Sequence, residues 1–488
     1  MDLARQSQIR IWLVCMLVAM VSSIGVSAQE RMVSMGDSID PVPFSRFLAT
    51  GLYVMDIETV DHEWPTCDYI KSPSNGWGKS ITNATKVPGR LKIYEGDRVV
   101  YDSGDYIKDA KGMTIRIRGN SSAYNYAKPY KIDLQDKADL LMRNNPSYRD
   151  KDWALIRDLR QLEMQGCEVN RLLGLQWTPG YGYVNLILNN EYLGLYMLIE
   201  TVKRNTNCRL NVSKTGFIFE HDAYWWKLDY SIPSILYPMM RYTFKYPDTE
   251  ELTAANKAYM KQRISDYEQS VRNGTYPEQI DVTSIAKWQL GHDILGVNDG
   301  AGSNRFFTIY DLQSKIVAGN MWDFDSSEIT VDNWSRSHLV LLKDYFKSAN
   351  RDFVNEYVSE WYRIRETLVP AMQDFYAKYK ASAKGQALQR SCELENIRWS
   401  HSYVFYYNIM SRVDWLKARK KWLDRQMNIL NPVGDANVDG KVDVEDVNAI
   451  INTILGIAEG YRRPSDVNQD GKIDVEDVNA VINIILNV

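Results

Sequence analysis

The sequence has few of the residues that build disulfide frameworks or histidine metal centres. Its 488 residues include only 5 cysteines and 5 histidines. The histidines are scattered, without the close spacing of a zinc motif, so we do not expect a metal centre built on imidazole. Cys15 lies in an N-terminal apolar run. The other four cysteines match no zinc pattern and allow three disulfide pairings or four buried thiols. These four are Cys67, Cys167, Cys208 and Cys392.

The chain also lacks an excess of positive charge. Lys and Arg number 58 against 62 Asp and Glu, which gives a net charge of −4. Because nucleic-acid-binding proteins neutralise phosphates with a broad basic surface, we expect no nucleic-acid partner. The acidic residues are concentrated at one end, since the segment from Asp435 onward has eleven acidic and four basic residues. Such a segment after a near-neutral body predicts a separate module that binds cations.

Long hydrophobic runs are absent except at the N-terminus, where residues 11–26 are mostly apolar. Arg5 and Arg10 precede this run, and the small residues Ser27 and Ala28 follow it. This order is typical of a cleavable secretory signal, and the run is shorter than the ~20 residues of a membrane-spanning helix. We predict a signal peptide over residues 1–28, a secreted or cell-surface location, and no membrane span after cleavage.

Hydrophobic periodicity divides the body into a strand-rich first part and a helical second part. A hairpin is predicted from 184–188 and 193–199, with its turn at 189–191. The other predicted strands are 52–57, 91–94, 113–118, 131–134, 306–311 and 315–318. The predicted helices are 155–173, 250–272, 284–295, 353–380 and 399–430. The fold class is therefore α+β, with a β-rich lobe, a helical lobe and a break at Pro432 before the acidic module.

An acidic pattern occurs twice in this module, beginning at Asp435 and again at Asp466. Oxygen donors at loop positions 1, 3, 5, 9 and 12, a backbone carbonyl at 7 and Gly at 6 are the arrangement that surrounds Ca²⁺ with oxygen. Lys441 and Lys472 would supply the carbonyl at position 7. We therefore predict two Ca²⁺ ions. The side-chain donors are Asp435, Asn437, Asp439, Asp443 and Asp446 in the first loop, and Asp466, Asn468, Asp470, Asp474 and Asp477 in the second.

Each loop ends with Asp instead of the Glu of a standard EF-hand. An apolar helix follows each loop, at 447–455 and 478–486, and no clear helix precedes it. This pattern resembles dockerin modules, which implies a small all-α domain over 431–488 that binds a cohesin domain of a scaffold or surface protein. Two alternatives remain: a calcium-stabilised fold without a cohesin partner, and acidic turns that cap helices without metal.

In the body, a small polar turn runs from Arg118 to Ser122 and includes Asn120 and Ser121. Lys131 follows on the next predicted strand. Backbone N–H groups of such a turn can hold a phosphate, and a lysine on the neighbouring strand can reach the same anion. An ordinary hairpin with a surface lysine is the alternative.

Two further polar segments follow a buried helix. The first contains Asp299 and Asn304, and the second contains Asp323 and Asp325. An Asp, an Asn five residues later and a carboxylate beyond two strands is the order of groups used in protein-kinase-type phosphoryl transfer. Carboxylate and amide oxygens suit Mg²⁺, which neutralises the triphosphate. Taken singly, each segment could also be a capped turn.

Several short motifs together resemble the spore-coat protein H (CotH) kinase family, in order over roughly residues 50–425. The motifs are Arg118-Gly-Asn-Ser-Ser122, Lys128-Pro-Tyr-Lys131, Trp153-Ala-Leu155, Val184-Asn-Leu-Ile-Leu-Asn189, Tyr192-Leu-Gly-Leu-Tyr196 running on to Glu200, Lys245-Tyr-Pro247, Asn298-Asp299 and Trp322-Asp-Phe-Asp325. The resemblance implies an atypical kinase-like fold of two lobes over residues 29–430. It also implies that this domain binds ATP with Mg²⁺ or Mn²⁺ and phosphorylates secreted or surface proteins.

The resemblance also suggests roles for particular residues. Lys131 and Asp299 are the candidate catalytic residues, as the phosphate-contacting lysine and the catalytic carboxylate. Asn304, Asp323 and Asp325 are candidate ligands of Mg²⁺ or Mn²⁺. The candidate nucleotide-binding residues are Arg118, Asn120, Ser121, Glu200, Asn304 and Asp323.

Two other functions compete with a secreted kinase. A glycan-acting protein is one, because dockerins are commonly joined to glycan-degrading enzymes and aromatic side chains at 224–226 could stack on sugars. The other is a non-catalytic structural protein whose kinase-like body is held in an assembly by calcium.

Overall fold

The computed structural model describes residues 30–73, 78–299, 304–328, 330–400, 405–458 and 462–487, so the predicted signal peptide lies outside the described residues. The strands are β1 Met32–Val33, β2 Val42–Pro43, β3 Tyr53–Thr59, β4 Asp68–Lys71, β5 Lys79–Thr82, β6 Val87–Glu95, β7 Arg98–Asp102, β8 Met113–Ile117, β9 Tyr130–Ala138, β10 Asp150–Ile156, β11 Tyr181–Leu188, β12 Glu191–Glu200, β13 Phe217–Asp222, β14 Ile232–Pro233, β15 Arg241–Tyr246, β16 Arg305–Ile309 and β17 Ile316–Ala318. The α-helices are α1 Phe44–Leu48, α2 Leu162–Leu173, α3 Ala254–Asn273, α4 Val282–Leu295, α5 Arg336–Val340, α6 Lys343–Lys347, α7 Asp352–Ala381, α8 Ala383–Trp399, α9 Phe405–Leu430, α10 Val444–Ile454, α11 Arg462–Ser465 and α12 Val475–Leu486. The predicted α+β class is confirmed.

Seven strands of the first part close into a barrel. They follow one another in the order β3, β11, β12, β10, β9, β8 and β6, and β6 also pairs with β3. Buried and half-buried residues alternate along β6 and β8, because successive side chains of a strand point to opposite faces. Ile93, Ile115, Ile132 and Leu186 are fully buried in the hydrophobic core of this barrel.

The predicted hairpin is confirmed as β11 and β12. Its turn is formed by Asn189 and Asn190, whose φ angles are 50° and 62°. Two successive residues with positive φ match the right-handed twist of the flanking strands, and Asn accepts this conformation more readily than most residues. Glu191, which we predicted in the turn, begins β12 instead.

The helix predicted over 155–173 is wrong at its start. Trp153, Ala154 and Leu155 are buried one after another in β10, because both faces of that strand are covered. A short continuous apolar run does not distinguish a buried strand from a helix. The chain leaves the barrel after β10, and α2 begins only at Leu162.

A second sheet and a group of helices complete the body. The five strands have the order β14, β15, β13, β16 and β17, which confirms the strands predicted near 306–311 and 315–318. Helices α2, α4 and α7 pack against one another beside this sheet. Trp288, Tyr357 and Trp361 are fully buried in the large core there. The helix predicted over 399–430 is confirmed as α9 except at its start, since α9 begins at Phe405 and Trp399 is the last residue of α8, with Ser400 at a φ of 53°.

The C-terminal module contains α10 and α12, one after each acidic loop. Asp443 and Asp474 cap these helices, and each takes part in a capping box with an Asp three residues later. Both helices therefore begin three residues before the predicted starts at 447 and 478. Ala436, Ile450 and Val481 are buried in the small core of the module.

The four cysteines in the described residues are free thiols, with Cys67 half-buried and the other three buried.

None of the helices in the described part of the chain combines the length and the apolar character that a bilayer crossing requires.

Candidate functional site

A cleft of about 840 Å³ lies between the barrel and the second sheet. This volume is in the range of pockets that enclose small molecules. Both walls carry charged side chains, which is typical of a site for a charged ligand. The barrel side contributes Arg116, Arg118, Asn120, Lys131, Asp152 and Lys203, and the side of the second sheet contributes Glu220, Asp222, Tyr224, Lys245, Asn304 and Phe306.

Lys131 lies on β9 between two carboxylates. Its Nζ is 2.8 Å from Asp133 Oδ1 and 2.9 Å from Asp152 Oδ1. Asp152 also contacts Lys203, which lies 3.1 Å from Asp150. Burial raises the pKa of Asp152, but the hydrogen bond with Asp133 and the two ammonium groups outweigh it and hold that pKa well below its usual value. Lys131 and Lys203 are therefore both held by carboxylates on the barrel side of the cleft, and Lys203 was not predicted.

The predicted metal ligands lie close to one another, and of these Asn304 lines the cleft on the side of the second sheet, whereas Asp323 and Asp325 are not among the lining residues. Asn304 donates its side-chain N–H to Asp323 Oδ2 at 2.6 Å, and both residues have positive φ angles, of 65° and 70°. Burial, followed by the charges of Asp325 and Asp299, raises the pKa of Asp323 to about 7, against the opposing effects of Arg118 and Asn304. The carboxylates thus lie close enough to repel one another, and a bound cation would relieve this repulsion.

Asp299 follows the end of α4 and is tied to the Asp325 segment. Its backbone N–H donates to Ser326 Oγ at 2.9 Å, and the N–H of Asn298 donates to the Ser326 carbonyl at 3.1 Å. Because these bonds join the two polar segments, Asp299 stays close to Asp325, whose pKa is raised most by burial and then by the charge of Asp299. Residues 300–303 of the predicted turn lie outside the described residues.

The predicted phosphate turn only partly lines the cleft. Burial lowers the pKa of Arg118, and the charges of Asp323 and Glu163 oppose this, so the guanidinium lies near both carboxylates. Asn120 Oδ1 accepts hydrogen bonds from Ser80 at 2.5 Å and from Lys227 at 3.4 Å. Ser121 is exposed at the start of a short helical turn and does not line the cleft.

Glu200 does not line the cleft either. Its carboxylate is buried, 2.7 Å from the guanidinium of Arg143, and accepts the N–H of Gly180 at 2.8 Å. The next four residues, 201–204, do line the cleft. The segment that we predicted at the nucleotide is therefore near it, but the Glu200 side chain stabilises the barrel instead.

Several cleft residues were not predicted as site residues. Glu220 and Asp222 are two positions apart on β13 and so face the same side. Glu220 accepts the backbone N–H of Asn304 at 3.0 Å and lies 2.9 Å from Lys245. Of the aromatic residues at 224–226, Tyr224 lines the cleft, whereas Trp225 stacks against Arg241 at 4.2 Å.

The first acidic loop folds around two buried carboxylates. Asp435 accepts the backbone N–H groups of Asp439 at 3.0 Å and Gly440 at 2.9 Å. Asp446 accepts those of Asn437 at 3.0 Å and Asp443 at 2.8 Å. Burial raises the pKa of Asp435 to about 6, and the charge of Asp446 adds to this. Ionised carboxylates in this position need a cation.

The second loop repeats this arrangement. Asp477 accepts the N–H groups of Val467 at 2.7 Å and Asp474 at 2.9 Å, and Asp466 accepts that of Gly471 at 3.0 Å. The other oxygen of Asp466 is buried without a hydrogen-bond partner, as expected of a metal ligand. The loops therefore fit calcium, although no three His, Cys, Asp or Glu side chains in the described residues converge into metal-binding geometry as they stand.

A family model described as CotH kinase protein matches residues 115–423. The chain belongs to the CotH kinase family. A second model, described as Dockerin type I domain, matches residues 433–486. A search of curated proteins found no match.

The CotH match contains most of the cleft. It begins within β8 and includes the lysines of the barrel side as well as Asn304 and Asp323. The barrel strands β3 and β6 precede it. The dockerin match includes both acidic loops and both helices that follow them. Dockerin type I domains typically bind calcium and a cohesin partner, so the CotH protein combines a kinase-family body with a module of this class.

Proposed function

We propose that the CotH domain transfers the γ-phosphoryl group of ATP to secreted or surface proteins. The observation that carries this proposal is the group of Asp299, Asp323 and Asp325 next to Asn304, because Asn304 lines the same cleft as Lys131 and Lys203. Phosphoryl transfer depends on positioning and charge neutralisation, and this arrangement supplies both. The barrel and the sheet-and-helix part act as the two lobes of an atypical kinase.

Each group has a role in this reaction. Asp323, Asp325 and Asn304 hold Mg²⁺ or Mn²⁺, which neutralises charge on the triphosphate. Lys131 and Arg118 bind phosphate oxygens, and Asn120 supports the same side. Asp299 accepts the proton of the acceptor hydroxyl and orients it.

The dockerin module carries this enzyme to its partner. Each acidic loop holds one Ca²⁺, and the loaded module binds a cohesin domain of a scaffold or surface protein. The N-terminal signal exports the chain to the extracellular side, where Ca²⁺ is available to fill the loops. This attachment brings the cleft close to proteins at the cell surface.

Transfer of labelled γ-phosphate from ATP to the exported chain or to a generic acceptor tests the kinase. Wild type should transfer phosphate with Mg²⁺ or Mn²⁺, and Asp299→Asn and Asp323→Asn should abolish transfer while remaining folded. Asp374→Asn, an exposed carboxylate on α7, is the matched control.

Two outcomes would overturn the proposal. Wild type that neither transfers phosphate nor gains stability from ATP would favour a glycan-acting protein. If Lys131→Ala and Asp323→Asn leave every measured function of the chain intact, the body is a non-catalytic structural element.

A further inference from the structure

The first turn of α2 lies directly against the segment that carries Asp323 and Asp325. Glu163, on this turn, is only 5% exposed, and its Oε1 accepts the backbone N–H of Phe324 at 2.8 Å. Phe324 is the residue between the two predicted metal ligands. The Glu163 hydrogen bond therefore fixes the peptide that sets the direction of both carboxylates.

A second contact holds the same segment on the same helix. Gly166 follows Glu163 by one helical turn, and a Cβ atom at this position would lie 2.1 Å from the ring of Phe324. The ring thus packs on the bare backbone of α2 and is 1% exposed. Because this separation is far below van der Waals contact, any larger side chain at 166 must displace Phe324.

Helix α2 is itself anchored to the barrel. Asp158 accepts the backbone N–H groups of Glu163 and Met164, both at 3.1 Å, and the hydroxyl of Tyr183 on β11 at 2.7 Å. The contacts therefore run without interruption from the barrel through Asp158 and Glu163 to Phe324. The orientation of the metal-binding segment is set by the barrel side of the cleft.

We propose that Glu163 is a positioning residue, which holds the Phe324 peptide so that Asp323 and Asp325 face a common divalent cation. This inference rests on the proposed function, because it concerns the same metal site. In the part of the chain that the structure describes, Glu163 makes no hydrogen bond to a predicted ligand side chain, and its hydrogen bond to this segment is with the Phe324 backbone. Partners that orient metal ligands typically change metal affinity by about 10–100-fold when they are removed.

The test is a calorimetric titration of the full exported chain with Mn²⁺ in the absence of nucleotide. Saturating Ca²⁺ fills the acidic loops first, and Asp323→Asn defines the part of the signal that belongs to the cleft. We expect Glu163→Ala to weaken this Asp323-dependent binding about 10–100-fold. Glu163→Gln keeps an oxygen that can accept the Phe324 N–H, so it should restore affinity to within a few-fold of wild type.

Two further variants separate positioning from a general loss of structure. Glu168→Ala removes another carboxylate of α2, which contacts Arg171 and Tyr181 and lies away from Phe324, and it should bind Mn²⁺ like wild type. Gly166→Ala keeps every hydrogen-bonding group but displaces the ring, and it should weaken Mn²⁺ binding. If Glu163→Ala does not fold, Gly166→Ala and Glu163→Gln together decide the question.

The outcomes are distinct from those of the proposed function. Wild type that shows no Asp323-dependent Mn²⁺ binding overturns the metal site and the role of Glu163 with it. Wild type that binds Mn²⁺, together with a Glu163→Ala variant of equal affinity, overturns the positioning role alone. Equal losses in Glu163→Ala and Glu163→Gln would also overturn it, because the accepted hydrogen bond would then not be the cause.

Discussion

The acidic loops and the cleft both gather carboxylates, but they stabilise them in different ways. In the first loop, Asp446 is held by the N–H of Asn437, which is 9 residues away in sequence. In the cleft, Phe324 is held by Glu163, which is 161 residues away. The hydrogen bonds that hold the carboxylates of a loop therefore come from within that loop. The cleft, in contrast, exists only when the barrel and the second sheet have come together.

This difference predicts how each site responds to change. Substitutions in a loop should affect the calcium site and the stability of the module, and leave the cleft unchanged. Substitution of Asp299 or Asp323 should abolish chemistry without affecting calcium binding. The following experiments test this separation, beginning with the largest expected effect.

Asp323→Asn should lower the rate of phosphoryl transfer by at least about 10²–10³-fold, since it removes a charge that stabilises the transition state. The measurement is the initial rate of γ-phosphate transfer with saturating Mg²⁺. The calcium-dependent shift of the thermal midpoint should equal that of wild type. A variant that lost both properties would contradict the separation of the two sites.

Removal of Ca²⁺ should destabilise the module and leave the cleft intact. At a free Ca²⁺ concentration of 100 times Kd, a site that binds only the folded state contributes ~2.7 kcal/mol. Scanning calorimetry of the full chain with Ca²⁺ and with chelator measures this stabilisation, and ATP-dependent transfer should not change.

Asp466→Ala should remove part of the calcium-dependent shift of the thermal midpoint. Glu445→Gln, an exposed neighbour that is not a predicted donor, should keep it. Identical midpoints with and without chelator would disprove calcium binding.

The contrast also explains which parts of the site could be predicted from the sequence. All donors of one loop lie within a short segment, so their spacing alone identifies the chemistry. Lys131, Asn304 and Asp323 could be chosen from the order of the motifs, and in the structure Lys131 and Asn304 line one cleft while Asp323 is hydrogen-bonded to Asn304. Glu163 and Lys203 could not, because their relation to the cleft arises from tertiary contacts between distant segments.

The fold, too, could be predicted from the sequence only where the pattern is local. Alternating strands such as β6 and β8 and the hairpin at Asn189 were predictable, because their patterns are local. The closure of the barrel depends on the pairing of β3 with β6 and β11, which leaves no periodic signal. The end of the buried strand β10 was included in the helix predicted from residue 155 for a related reason, since a strand covered on both faces loses its alternation.

The raised pKa of Asp323 should make the stability of the metal-free protein depend on pH. In the metal-free folded state the pKa of Asp323 is raised from 3.8 to about 7, so between these values the folded state binds a proton that the unfolded state releases. Stability should therefore fall as pH rises through this window, and the slope should decrease in Asp323→Asn. This comparison of thermal midpoints is made with chelator present.

Because metal binding requires the ionised carboxylate, Mn²⁺ affinity of the cleft should rise up to tenfold per pH unit and level off above about 7. Calcium affinity of the first loop should level off lower, since the pKa of Asp435 is raised only to about 6. Titrations with each metal across this range measure both curves. Curves that level off at the same pH would contradict the difference between the two environments.

The smallest effect is expected at Asp152, because each lysine that it contacts also has a second carboxylate partner. Asp152→Asn removes a charge beside Lys131 and Lys203, but Lys131 keeps Asp133 at 2.8 Å and Lys203 keeps Asp150 at 3.1 Å. We expect the KM for ATP to rise roughly 5-fold, on the order of 1 kcal/mol, with little change in kcat. Asp136→Asn, an exposed position of β9, is the control. A fall in kcat as large as that of Asp323→Asn would place Asp152 in contact with the reacting groups, and would show that both walls of the cleft, not one, carry the chemistry.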